Sequence, residues 1–257
     1  MFTKKQLYLA LFIFIFIVLG FIITPPLAQP LTYHLFADTR AFLNTPNFAD
    51  VWSNLPFCIV GLWAGIKMIC TRRHLLYHDA PELIAWIIFA LGVFLVGFGS
   101  AYYHLDPNNA TLLWDRLPMS IAFMALTYAI ITDHMKLKSL TLLISLVLIG
   151  MSSVVYWHYT EQIGAGDLRP YALVQFLPII LLPILVMTTP SKYTKTPLII
   201  IGFGWYVLAK LLEHFDIKIF KFLNGLVSGH TLKHLASAVG AYVIMRYFFM
   251  REKKITN

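Results

Sequence analysis

His104, His230 and His234 are the residues of this chain whose type and spacing best suit a metal ion. His230 and His234, in His230-Thr231-Leu232-Lys233-His234, stand four apart, so on a helix they share one face with Cβ atoms roughly 6 Å apart. His104 closes Ser100-Ala101-Tyr102-Tyr103-His104. A close pair plus one distant histidine gives a tetrahedral ion three protein ligands and one open position, the arrangement catalytic zinc uses. Zn2+ is therefore the expected cofactor and hydrolysis the expected chemistry.

Two further residues could take part in that chemistry. Ser100 lies one turn before His104 and shares its face, where its hydroxyl could stabilise a developing oxyanion. A serine in an apolar helix can equally bond back to its own backbone. Asp115, in Trp114-Asp115-Arg116-Leu117-Pro118-Met119, is expected either to cap a helix or to act as a general base on water. A second polar cluster comprises Asn47, Asp50, Ser53 and Asn54. Asp50 and Asn54 are one turn apart. Of this cluster Asn47, Asp50 and Asn54 could orient a ligating histidine, bind a cation such as calcium, or link helices.

The elements that must position these residues are membrane spans. The chain has 257 residues, 59% hydrophobic and only 12% charged, with a mean hydropathy of +0.72. Soluble domains carry about 25% charged residues, so the composition is that of an all-α, polytopic membrane bundle. Eight apolar segments are expected: 6–24, 51–70, 82–103, 117–132, 140–157, 171–187, 198–212 and 231–250. Pro25, Pro26, Pro107, Pro170 and Pro190 punctuate the connections. The first segment follows Lys4-Lys5 and is expected to be a retained helix rather than a signal peptide. Cys58 and Cys70 fall in one segment, about 18 Å apart on a helix, beyond disulfide reach.

The net charge of +8 sets topology and gives no reason to expect nucleic acid. With eight crossings and an inside N-terminus, the outer segments receive only Arg40, Arg116, Arg169, Lys218 and Lys221, and Lys210 and Lys233 lie within spans. All other lysines and arginines fall inside. Both termini are thus expected in the cytoplasm, in a cell (inner) membrane, with His104, Asp115 and His230 together at the outer face. His34, Asp38, Arg40 and Asn44 occupy a long outer loop, a lid or a solvated connection. His74, His78 and His134 are expected at the surface beside cytoplasmic cations. His158 lacks a spacing partner. His214 and Asp216, near outer ends, could enter the site.

In this order, Ser100-x-x-x-His104, Leu112-Leu113-Trp114-Asp115-Arg116-Leu117-Pro118-Met119 and His230-x-x-x-His234 resemble the alkaline ceramidases of the CREST superfamily of seven-helix membrane hydrolases. Ser53-Asn54-Leu55 is also family-like. The resemblance implies a seven-helix domain over 47–257, preceded at 1–46 by an additional transmembrane helix and an outer loop. It implies zinc on His104, His230 and His234, proton handling by Asp115 and oxyanion stabilisation by Ser100. The implied reaction is hydrolysis of a ceramide-like amide to a long-chain base and a fatty acid. The partner would be a membrane lipid, with no obligatory protein partner. Eukaryotic members carry an acidic Asp-Trp-Cys-Glu-Glu-Asn-type calcium motif that this chain lacks. Asp38, Asn47 and Asp50 are the nearest candidates, so calcium is doubtful.

Other readings of the residues are a zinc-bearing receptor-like or structural protein without turnover, a haem-binding membrane protein with histidine axial ligands, and a metal-free hydrolase using Ser100 as nucleophile.

Overall fold

The computed structural model describes residues 15, 17, 19–71, 79–135 and 137–254, which form an all-α bundle with no β-strand among them. A 3-10 turn, Leu31–His34, and a short helix α1, Phe48–Trp52, precede the long helices. These are α2 Leu55–Cys70, α3 Ala80–Leu105, α4 Asn109–His134, α5 Leu140–Gln162, α6 Arg169–Thr188 and α7 Pro197–His214. A short α8, Asp216–Phe222, leads into the last long helix, α9, Gly229–Met250. The expected first span, 6–24, lies largely outside the described residues; residues 19–23 are helical.

Among the described residues, five helical stretches are long and apolar enough to cross a membrane: Phe48–Cys70, Ala80–Leu105, Leu140–Gln162, Arg169–Thr188 and Pro197–His214. Their outward faces are apolar too. Ile59, Leu62, Ile66 and Ile69 on α2, and Ile87, Leu91, Leu95 and Phe98 on α3, are exposed at helical spacing. A water-soluble protein would bury such stripes, whereas in a bilayer they meet acyl chains. The chain is a multi-pass membrane protein.

α4 and α9 are also long, 26 and 22 residues, but more polar. They carry the buried Asp115, Arg116, Asp133, His230 and His234. α4 packs against α3, α5 and α6, and α9 against α2, α3 and α7. Apolar helices thus wrap the two polar ones, which is where intramembrane ionisable groups can be accommodated.

α4 begins earlier than the apolar pattern suggests. The Asn108 side chain accepts from the backbone N–H groups of Ala110 (2.9 Å) and Thr111 (3.0 Å), and Thr111 Oγ1 accepts from Asn108 N (3.2 Å). This capping box starts the helix about two turns before Asp115. Asp115 is therefore not an N-cap, and its carboxylate is free for the interior.

At the far end of the bundle, a buried ionic clamp joins α3, α4 and the exit from α9. Arg251 donates to both Asp133 oxygens, at 2.8 and 2.7 Å, and to Glu82, while the Tyr247 hydroxyl donates to Asp133 Oδ2 at 2.7 Å. At about 1.5 Å per residue, Glu82 to His104 spans about 33 Å, close to the hydrocarbon thickness of a bilayer. The clamp fixes at one membrane boundary the helices that carry the histidines at the other. His134 belongs to this end and is buried, its Nδ1 2.9 Å from the Thr189 carbonyl oxygen. The expectation of a surface residue fails because α4 continues to His134 and packs there against the end of α6. His74 and His78 lie outside the described residues.

Candidate metal centre

The C-terminal end of α3 and the N-terminal end of α9 bring His104, His230 and His234 together. One ring nitrogen of each lies within 4.8 Å of the others, and all three side chains are buried. His104 Nε2 and His230 Nε2 are 3.3 Å apart. Ligands 2.0–2.1 Å from a tetrahedral centre stand about 3.3 Å from one another, so the spacing fits zinc.

The tautomer of His234 is set by its neighbour. Ser53 Oγ lies 2.7 Å from His234 Nδ1 and also 3.1 Å from the Asp50 carbonyl oxygen. The hydroxyl can donate only once, and a carbonyl can only accept. Ser53 serves both contacts when it gives its proton to Asp50 and accepts from Nδ1–H of His234. That leaves a lone pair on His234 Nε2, a buried atom with no hydrogen-bond partner. Such an orphan beside two other imidazoles is the chemistry of a metal ligand. Lys233 is the competing feature: its ammonium donates to His230 Nε2 at 2.9 Å and to Glu213 Oε1 at 3.0 Å, and Glu213 also pairs with Lys210.

Ser100 and Asp115 come together on one cavity wall where α3 packs against α4. Gly99 makes this possible. A Cβ there would come within 2.0 Å of the Trp114 carbonyl oxygen, so a larger residue would push the helices apart. Ser100, Asp115 and His234 line one cavity. It continues past Met119 to Leu126 on α4 and past Ala241 to Ile244 on α9, about 16 Å along each helix. Below the polar head its walls are mostly apolar, apart from Ser237 and from Gln175, which donates to the Tyr206 hydroxyl at 2.8 Å. A slot of this depth, lined mostly by apolar side chains, suits a lipid chain.

The loop before α1 folds across the histidine end of the bundle as a strap. Phe36 packs its ring 4.7 Å from that of His104 and 4.5 Å from that of His230. His34 is held by the Tyr103 hydroxyl (2.8 Å) and Asn109 Oδ1 (2.9 Å). Asp216 joins strap to helix: Ala37 N donates to its Oδ2 at 3.0 Å and His230 N to its Oδ1 at 2.8 Å. The Tyr33 hydroxyl also faces the cavity. Burial, then the charge of Glu213, pushes its pKa well up, so it stays a neutral donor.

The structure gives the other predicted polar residues structural duties. Asn47 Nδ2 donates to the His104 carbonyl oxygen at 2.8 Å. Asp50 Oδ1 accepts from Thr231 Oγ1 (2.6 Å) and Ser228 Oγ (3.3 Å), tying α1 to the start of α9. Asn54 Nδ2 donates to the Asp50 carbonyl oxygen at 2.8 Å. Asp38 is taken by Arg40, whose guanidinium holds the carboxyl below its ordinary range. Asp38, Asn47 and Asp50 are thus engaged separately. Of the cluster, Ser53 reaches a histidine, a role its spacing did not single out. Phe36, Lys233 and Glu213 also carried no signal in the sequence pattern.

A histidine cluster, Ser100 with Asp115 and a mostly apolar cavity coincide at one end of a membrane bundle. The model of the family described as Ceramidase matches residues 42–255. The chain belongs to the ceramidase family. It is thus a member of a family of ceramide-hydrolysing membrane enzymes, acting on a lipid as amidohydrolases. No curated protein matches the chain. In this ceramidase-family chain the match begins after the strap residues Tyr33, His34 and Phe36, which nevertheless pack against the site.

Proposed function

We propose that this chain is a zinc-dependent amidase that hydrolyses the amide of a ceramide-like lipid to a long-chain base and a fatty acid. One observation carries the reading: His234 of the three-histidine cluster lines one cavity together with Ser100 and Asp115. His104, His230 and His234 would hold zinc, which supplies Lewis acidity for activating water and polarising a carbonyl.

The protein groups do the rest. Asp115, buried beside the cavity head, accepts the proton of the attacking water and returns it to the departing amine nitrogen. Ser100 turns its hydroxyl to the carbonyl oxygen as that oxygen gains charge. Lys233 gives up His230 when the metal is bound and keeps Glu213. The acyl chain lies between α4 and α9, and Phe36 shields the centre from water on the outer side. Calcium has no place in this reading. Nor does haem: His104 and His234 rings with centroids 4.9 Å apart leave no room for a macrocycle between them.

Cation placement supports cytoplasmic termini and an outward-facing centre, with α4 and α9 crossing beside the five apolar spans. The domain is proposed to run from 47 to 257, with 1–46 as a preceding helix and strap.

Purified protein should be assayed on a ceramide and its ester analogue, before and after metal removal. Amide cleavage that disappears on chelation and returns with zinc supports the proposal. A zinc-loaded protein inert toward both lipids would return the chain to a receptor-like or structural role, and turnover indifferent to chelation would exclude metal catalysis.

A further inference from the structure

A second polar tier interrupts the apolar part of the cavity. Gln175 on α6, Tyr206 on α7 and Ser237 on α9 line it together with Ser100, Asp115 and His234. Helix spacing places this tier about one turn further from the histidine end. Ser237 is three residues beyond His234, and Gln175 is four beyond Tyr171, whose ring packs against Arg116 beside Asp115. Tyr206 lies four residues before Lys210, which shares Glu213 with Lys233 at the head of the cavity.

The tier has hydrogen-bonding capacity to spare. Gln175 Nε2 donates to the Tyr206 hydroxyl at 2.8 Å, so Tyr206 keeps its own proton to give. Gln175 Oε1 and Ser237 Oγ make no hydrogen bond among the described residues, yet neither is a fully enclosed atom. If the amide is turned over, donor and acceptor exchange places and the pair still offers one of each. Phe123 of α4 meets the Tyr206 ring edge-on, with centroids 5.5 Å apart, and gives the hydroxyl a fixed place.

A link between α6 and α7 accounts for the Gln175–Tyr206 bond. It does not account for what that bond leaves over, or for Ser237. Polar groups facing an apolar slot cost free energy until something bonds to them. A plain alkyl chain cannot, whereas a hydroxyl both donates and accepts. The depth says where on the chain that hydroxyl sits. A turn of about 5.4 Å is covered, from a carbonyl carbon, by two carbon–carbon bonds and one hydrogen bond of about 2.8 Å. That reach ends on the β-carbon of the acyl chain.

We propose that Gln175 and Tyr206, with Ser237, read a hydroxyl on the β-carbon of the acyl chain, so that β-hydroxyacyl amides are the preferred ceramide-like substrates. This rests on the amidase reading and deepens it, selecting acyl chains within the same lipid class.

N-(β-hydroxypalmitoyl)sphinganine, its ω-hydroxy isomer and N-palmitoylsphinganine differ only in the acyl hydroxyl. The wild-type protein should favour the β-hydroxy lipid over the plain one in kcat/KM by about 3- to 10-fold, the range of one neutral hydrogen bond. The ω-hydroxy lipid should gain nothing. Tyr206→Phe and Gln175→Leu should each bring the β-hydroxy ratio close to one. A wild-type ratio near or below one overturns the proposal whether or not the variants fold. An equal gain from the ω-hydroxyl also overturns it, since that marks a general tolerance of polarity. So does a ratio that survives in the folded variants, because slowing both lipids alike is the mark of a helix link. Should both variants fail to fold, Ser237→Ala decides: a lowered ratio upholds the proposal and an unchanged one overturns it. Should none of the lipids be cleaved, the amidase reading fails by itself, and equilibrium binding decides the present point. At least about threefold tighter binding of the β-hydroxy lipid, lost in Tyr206→Phe, upholds it; equal binding overturns it.

Discussion

Ser53 Oγ stands 2.7 Å from His234 Nδ1 across 181 residues of sequence, and the Asp50 carbonyl oxygen on its other side fixes which of the two donates. The contact joins the turn between α1 and α2 to α9. It aims the His234 Nε2 lone pair toward His104 and His230.

Removing that contact should loosen the metal without destroying the site. Ser53→Ala is expected to weaken zinc affinity about 10- to 100-fold, the usual cost of losing the partner that orients a ligating histidine. Competition with a chelator of known affinity measures this. An unchanged affinity would make the Ser53 contact incidental.

Asp115→Asn should retain zinc and lose nearly all hydrolysis, because the amide keeps the side chain's shape and cannot accept the proton. Helix α4 should be unaffected, since Asn108 and Thr111 cap it. Rate and metal content measured on the same preparation separate the outcomes. Activity near wild type would leave Asp115 with a structural role.

The far clamp predicts a different phenotype. Arg251→Ala leaves Asp133 buried without its cation, and breaking such a pair costs about 3–5 kcal/mol. Thermal unfolding in detergent should show a large drop in Tm, while metal binding persists well below that temperature. A Tm within a degree or two of wild type would contradict the clamp.

Orientation can be tested by thiol labelling after Cys58 and Cys70 are replaced. Ala110→Cys, beside the site, should react with a membrane-impermeant reagent in intact cells, or in spheroplasts if an outer membrane intervenes. Lys254→Cys should react only after the membrane is opened. The reverse pattern would turn the site toward the cytoplasm and remove outer-leaflet lipids as its substrates.

The helices were legible because a bilayer demands long apolar runs, and the expected segments from Val51 onward all appear as helices. Their ends were not. The start of α4 is set by the Asn108–Thr111 capping box rather than by hydropathy, so Asp115 looked like a cap when it sits two turns inside. His104, His230 and His234 were legible by spacing, and charge-derived topology set them at one face. What surrounds them was not. Phe36 covers the histidines through a fold of the strap that leaves no periodic trace, and Asp216 joins strap to α9 through backbone N–H groups, whose direction only tertiary structure supplies. Asp50 and Asn54 are both buried, but Asp50 lies on α1 and Asn54 at the N-cap of α2, and the intervening Ser53 is the residue that reaches His234.

The central claim is that three histidines hold a zinc ion at the head of the cavity. The most direct test is the zinc content of purified wild-type protein beside His230→Ala and His234→Ala. The account predicts about one zinc per wild-type chain and loss of most of it in each variant, because two protein ligands do not close a catalytic zinc site. Equal zinc in all three proteins, or none in the wild type under zinc-replete conditions, would contradict it.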